Sequence, residues 1–286
     1  MENNKNQVAL AACSDLRPVK EREQIEKLKV CLKEMGLKVK ESPCLYQDEN
    51  GEYIGGQRKA EILQAFYKEP EVRAIFDVSG GNLANEVLPF LDFEVIRENP
   101  KPFFGYSDLT VLLNAIHQKT GQKGVLYQIR FLTGSNAEEQ QKAFRETFQE
   151  GKRTLFEFPV EFLQGEELTG KVVGGNIRCL LKLAGTAYFP EMEGNVLFLE
   201  SRSGDENQIV TFFYQLLEMG VFEKAAGLLL GTFTQLERES GRDGIRKVLK
   251  KLPLDENFPV AKTWSVGHGS DSRAVMIGEN ISLKAR

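Results

Sequence analysis

Short apolar runs alternate with segments of helical period over the first 120 or so residues, and this alternation narrows the fold more than any other feature of the chain. Val8 to Cys13, Leu37 to Lys40 and Ala74 to Val78 read as strands. Between them, Val19 to Met35 ends at Gly36 as a helix should, and Gly55-Gly56-Gln57 opens another that carries Ile62, Leu63 and Phe66. Ser79-Gly80-Gly81-Asn82 breaks the third run, a helix with Val87 and Leu88 follows, and Asn99-Pro100 precedes a fourth strand. Strands separated by helices pair in parallel, because a parallel neighbour requires a long crossover. Ligands of such sheets bind beyond the carboxyl ends of the strands, where both the glycine turn and Ser107 lie.

The second half repeats the alternation after a break. Gln122 to Gly165 is less regular, with a polar helical segment from Ala137 to Gln149 and then the charged Glu150-Gly151-Lys152-Arg153. The inter-domain connection is expected there, giving units 1–150 and 151–286. Gly170 to Asn176 opens the second unit, Ile177 to Ala184 reads as a helix, and Asn195 to Leu199 is an apolar strand ending in Glu200. An amphipathic helix (Gln208 to Met219), a strand (Ala226 to Gly231), a helix (Gly244 to Leu252) and a strand (Pro259 to Val266) lead to Gly267-His268-Gly269. The expected class is therefore α/β: an amino-terminal doubly wound, flavodoxin-like parallel sheet plus a smaller carboxy-terminal α/β domain.

Several function classes fall away on composition. A formal charge of -4 and the lack of a long basic run argue against a nucleic-acid partner. Met1 to Gln7 is polar and no apolar stretch approaches membrane-spanning length, so no membrane partner and a cytoplasmic location are expected. Cys13, Cys31, Cys44 and Cys179 form no CxxC pair or Cys/His cluster, which predicts reduced thiols and no zinc site. With neither G-x-G-x-x-G nor a G-x-x-x-x-G-K-[ST] loop, no nucleotide cofactor is expected.

The chemistry centres on Lys101 to Gly121. Pro102 to Tyr106 reads as the end of a buried strand, and Leu109, Leu112, Leu113 and Ile116 recur at helical spacing. Ser107 sits on the turn between them, either as a helix cap or as a nucleophile with helix N–H groups at its side. A nucleophile needs a base. His117 is ten positions along the same helix, roughly 15 Å away at the helical rise, whereas His268 stands on a glycine-flanked loop at a strand end. Glu200, at the end of Val-Leu-Phe-Leu, can orient such a base, or can be a solvated acid at the sheet edge. Asp108 is nearer in sequence, but its carboxylate suits the helix dipole and its N–H an oxyanion. Gly80-Gly81-Asn82 offers a second oxyanion donor or a plain turn.

Taken in order, Gly80-Gly81-Asn82 with Asn85 and Leu88-Pro89-Phe90-Leu91-Asp92, Asn99-Pro100-Lys101, Gly105-Tyr106-Ser107-Asp108-Leu109-Thr110, Val173-Gly174-Gly175-Asn176, Leu197-Phe198-Leu199-Glu200 and Gly267-His268-Gly269 resemble the LD-carboxypeptidase family of serine peptidases, which includes microcin-C immunity peptidases. The resemblance implies a Ser107-Glu200-His268 triad, the serine on the amino-terminal domain and the other two on the carboxy-terminal one. It also implies an oxyanion site made by the N–H groups of Gly81 and Asp108, no metal, and commonly a homodimer. The implied substrate is a small peptide or peptide conjugate: a murein tetrapeptide losing D-alanine from an L,D amide or, in the immunity branch, an aminoacyl-nucleotide amide.

Gly80, Asn82, Tyr106, Asn176 and Arg202 are the further substrate-contact candidates, with Arg130, Arg178 and Arg202 as cations for an anionic terminus. Three departures from the family pattern stand beside the motifs: Leu126-Tyr127-Gln128-Ile129-Arg130 in place of His-Gly-Pro, Ser201-Arg202-Ser203 after the acid, and Asp271-Ser272 where an asparagine is common. They leave open a third reading, a small-molecule binding module whose triad is unused.

Overall fold

The computed structural model describes residues 6–47 and 53–285, so most of the polar Met1 to Gln7 stretch lies outside the described residues. β1 (Gln7–Ala11) is buried along nearly its whole length. Val8 and Leu10 pack into one apolar cluster and Ala9 and Ala11 into another. A strand apolar on both faces belongs inside a sheet covered on both sides. Helix Arg22–Glu34 packs into the first cluster through Ile25, Leu28 and Leu32, and helix Gly56–Lys68 into the second through Ala60, Leu63 and Phe66.

β2 (Lys38–Glu41), β3 (Val72–Asp77), β4 (Phe103–Gly105) and β5 (Gly124–Leu126) complete the parallel part of the first sheet in the order β5-β4-β3-β1-β2. The second sheet takes β6 (Glu161–Gln164), β7 (Glu167–Asn176), β8 (Val196–Ser201), β9 (Gly227–Phe233) and β10 (Val260–Lys262). Of these β7 to β10 run parallel, and β6 closes one edge antiparallel to β10. β11 (Val275–Ile277) crosses back to pair antiparallel with β5, and β12 (Asn280–Lys284) returns to the edge of β7. The doubly wound amino-terminal sheet and the carboxy-terminal α/β unit are thus both present.

Helix Thr110–Thr120 holds the two sheets together. Thr110 to Ile116 are all buried, the mark of a helix covered all round. Leu109, Leu112 and Ile116 share one apolar cluster with Val172, Val196 and Phe198 of the second sheet. Along β8 the period of two sends Leu197 and Leu199 into a separate cluster and turns Val196 and Phe198 toward this shared one. Glu200 follows in the same register.

Where local reading differed, the strands were short or tertiary in origin. The irregular stretch 122–165 contains β5 and β6. Gly-Val-Leu is too short to show a period, and only its place beside β4 makes it a strand. The expected strand Pro259 to Val266 is paired only over Val260–Lys262. Lys262 is wholly buried and its ammonium lies 4.1 Å from the Trp264 ring centre and 2.8 Å from Glu237, so the side chain anchors the point where the chain leaves the sheet.

Candidate active site

Ser107 has φ +56°, the sole positive φ outside glycine among the described residues. The left-handed region costs an L-residue of order 1–3 kcal/mol and persists only where the surroundings impose it. Here the imposition is local. The backbone turns from β4 into the 3-10 turn Ser107–Leu109, closed by Leu109 N–H donating to the Tyr106 carbonyl at 3.0 Å. Gly105 makes the turn possible, since a Cβ there would meet the Leu109 Cβ at 2.5 Å. Tyr106 and Asp108 are buried while Ser107 between them is partly exposed, so the turn lifts one hydroxyl out of the sheet.

Glu200 is fully buried at the end of β8, beside Asn176 at the end of β7, and the strand register makes these two residues partners. Its carboxylate is fully engaged. Oε1 accepts from Asn176 Nδ2 at 2.9 Å; Oε2 lies 2.7 Å from His268 Nδ1 and accepts from the Tyr106 hydroxyl at 3.3 Å. The Tyr106 ring centre is 4.7 Å from that of His268. Burial, and then the Glu200 charge, push the Tyr106 phenol well above its ordinary value, so it stays a donor. With Nδ1 turned to Glu200, the other ring nitrogen of His268, Nε2, is buried and has no hydrogen-bond partner among the described residues. A neutral imidazole held this way presents Nε2 as a base.

Ser107 and His268 line the same cleft, of about 790 Å³, together with Gly80, Gly81, Tyr106 and Arg202. His117 does not: it sits on the helix with Nδ1 3.0 Å from the Gln122 carbonyl, and burial pushes its pKa down. Gly81 has φ +129° and a Cβ there would fall 2.1 Å from Asp15 Oδ2, so only glycine fits. Asp15 Oδ1 in turn accepts from the amides of Asn82 and Leu83 at 3.0 and 3.2 Å.

Asp108 does sit on the first turn after Ser107, but its carboxylate is held by more than the helix dipole. It is buried, with Oδ2 accepting from Ser14 Oγ at 2.6 Å and from the Ala84 amide at 2.9 Å, while Oδ1 pairs with Lys182. Lys182 also donates to the Asn82 carbonyl at 2.7 Å. Arg178, four residues earlier on the turns Ile177–Leu180 and Leu181–Leu183, donates to Asn82 Oδ1 at 2.8 Å and to the Gly81 carbonyl at 3.0 Å. Arg178 and Asn82 are thus engaged with each other in bracing the glycine turn. Asn176 braces Glu200. Lys182, Asp15, Arg17 and Arg238 were missed by sequence reasoning, and the one available signal was the i, i+4 spacing of Arg178 and Lys182.

The departures in sequence have structural work of their own. Ser272 Oγ accepts from the Gly267 amide at 3.0 Å and donates to the Arg273 carbonyl at 3.0 Å, fixing the His268 loop. Gln128 accepts from the Arg130 amide at 3.3 Å, and Tyr127 donates to Gln140 at 2.7 Å. Ser201 Oγ donates to the Ser203 carbonyl at 2.5 Å.

Models of the LD-carboxypeptidase N-terminal domain and C-terminal domain match residues 8–128 and 169–283. The chain belongs to the LD-carboxypeptidase family. It is therefore a serine-type carboxypeptidase, and the reading as an unused binding module gives way. A probable murein peptide carboxypeptidase of Bacillus subtilis is 30% identical over 262 residues, covering 88% of this chain and 81% of that protein. The solved structure of the microcin C7 self-immunity protein MccF in complex with glutamyl sulfamoyl guanosine superposes with TM-score 0.81 at 19% identity, over 99% of this chain and 96% of that one. A muramoyltetrapeptide carboxypeptidase from Oxalobacter formigenes gives TM-score 0.77 at 21% identity, over 98% and 95% of the two chains. No helix among the described residues is long and apolar enough to cross a membrane.

Proposed function

We propose that this carboxypeptidase hydrolyses the L,D amide bond of murein tetrapeptides and releases D-alanine through Ser107, His268 and Glu200. The observation that carries the reading is the pairing of His268 Nδ1 with buried Glu200 at 2.7 Å, with Nε2 left unpartnered in the cleft that Ser107 also lines. His268 Nε2 takes the Ser107 proton as the hydroxyl oxygen attacks the carbonyl carbon. Glu200 holds the tautomer and stabilises the imidazolium. The Gly81 and Asp108 amides are the proposed oxyanion donors, one on a turn braced by Arg178 and Lys182 and the other at the start of the turn that carries the serine. The proton then passes from Nε2 to the leaving amine, and water, deprotonated by His268, hydrolyses the ester.

The B. subtilis relative named for murein peptides supports this substrate. A second reading, cleavage of an aminoacyl-nucleotide amide, is supported by the likeness to MccF, whose complex holds glutamyl sulfamoyl guanosine. Release of D-alanine from an L,D-linked tetrapeptide, absent in Ser107→Ala, is the expected result. If the wild type releases none but cleaves an aminoacyl sulfamoyl nucleotide, the second reading takes its place. Family likeness also supports a homodimer acting in the cytosol, which light scattering and cell fractionation test.

A further inference from the structure

The cleft that holds Ser107 and His268 is lined by four arginines, Arg17, Arg130, Arg202 and Arg238, and by no aspartate or glutamate among the described residues. In a chain of net charge -4 that is a strong local reversal. The fold explains the convergence. Arg17 follows β1, Arg130 lies in the 3-10 turn Ile129–Thr133 after β5, Arg202 directly follows β8, and Arg238 is on the helix Thr234–Ser240 after β9. All four come after carboxyl ends of parallel strands, two from each sheet, and those ends face one cleft.

Within this group the charges are poorly compensated. Arg17 pairs with Glu21, and Arg238, three-quarters exposed, lies 3.7 Å from Glu239. Arg130 and Arg202 have no carboxylate partner among the described residues. The Nε atoms of both Arg17 and Arg130 are buried without a hydrogen-bond acceptor. Burial, and then the neighbouring Arg17 guanidinium, push Arg130 down to about 10; the charge of buried Asp77 opposes this in part, and Arg202 adds a smaller push. Unpaired donors and crowded like charges are costly unless a ligand supplies the acceptors.

We infer that the cleft is a subsite for a multiply anionic peptide, with one carboxylate taken by Arg130 and Arg17 from the first sheet and a second by Arg202 and Arg238 from the other. The inference rests on the proposed function for where the peptide lies, and goes beyond it in requiring two anionic groups. A lone terminal carboxylate leaves half of the arginines unused. Guanidinium forks suit carboxylates in pairs, as lysines would not.

The test uses four N-acetylated L,D-linked peptides with L-Glu or L-Gln on the acyl side and D-alanine or D-alaninamide on the leaving side, so that zero, one or two carboxylates flank the scissile bond. Binding to the full-length Ser107→Ala protein is measured by calorimetry, and kcat/KM with wild type. The doubly anionic peptide is expected to bind about 10- to 100-fold more tightly than either singly anionic one, by the worth of a charge-assisted contact. Arg130→Gln should flatten the discrimination against one missing carboxylate and Arg202→Gln against the other, with Arg130→Lys restoring part of the first. Equal binding of all four peptides, or discrimination that survives both substitutions, overturns the inference; so does a lack of any binding. Selective binding to Ser107→Ala without cleavage by wild type would keep the subsite and reject the proposed reaction.

Discussion

Ser107 and His268 line one cleft, yet the chain holds them there by different means. Ser107 is set by its immediate neighbours: Gly105, the Leu109-to-Tyr106 hydrogen bond and a φ of +56° all lie within the five residues 105–109. Glu200 and His268 are 68 positions apart, and their pairing is made by two strand ends, a loop tied by Ser272 and a tyrosine from the other sheet. The first region is strained and locally encoded. The second is a hydrogen-bond network encoded by topology, complete around Glu200 and open only at His268 Nε2. Substitutions should therefore relieve the first and unravel the second.

The two regions differ most at the serine itself. Ser107→Ala should lower D-alanine release by about 10⁴-fold or more while leaving circular dichroism unchanged. Ser107→Gly should be as inactive but roughly 1 kcal/mol more stable than the alanine variant, because glycine accepts the left-handed backbone. Equal denaturant midpoints for the two would remove the claim of strain. On the other side of the cleft, Glu200→Gln should cost about 10³- to 10⁴-fold in kcat, since an amide cannot hold the imidazolium as the carboxylate does.

Lys182→Met probes the brace between the regions. It leaves Asp108 buried without its cation, though still accepting from Ser14 and Ala84, and Lys182 is itself 18% exposed. Stability should fall by roughly 2 to 3 kcal/mol in urea unfolding, below the full cost of a wholly buried pair. Activity should fall with it, as the glycine turn loses its tie at the Asn82 carbonyl. The smallest effect belongs to Tyr106→Phe. One buried hydrogen bond to Glu200 is removed while the ring against His268 remains, so kcat should drop about 3- to 10-fold with KM nearly constant. A change in KM alone would mean that Tyr106 touches substrate instead of positioning the base.

Short-range patterns in the chain determined a good deal. The alternation from Val8 to Gly121 specifies parallel strands with helices between them, because short continuous apolar runs and period-3.6 apolar spacing can each be read within a dozen residues. The strand-serine-helix turn at Ser107 is legible for the same reason, as is the end of its helix at Gly121, whose φ of +74° suits glycine. Three-residue strands such as Gly124–Leu126 and Val275–Ile277 carry no period of their own and exist through their neighbours in the sheet. Only the tertiary structure decided that Glu200 is buried and not a solvated edge acid, that Asp108 faces Lys182, and that Arg178 braces the glycine turn while Arg17 and Arg238 join the cleft. A side chain's partner is fixed by which strand ends the topology brings together, and residues 68 to 97 positions apart leave no local trace of that meeting.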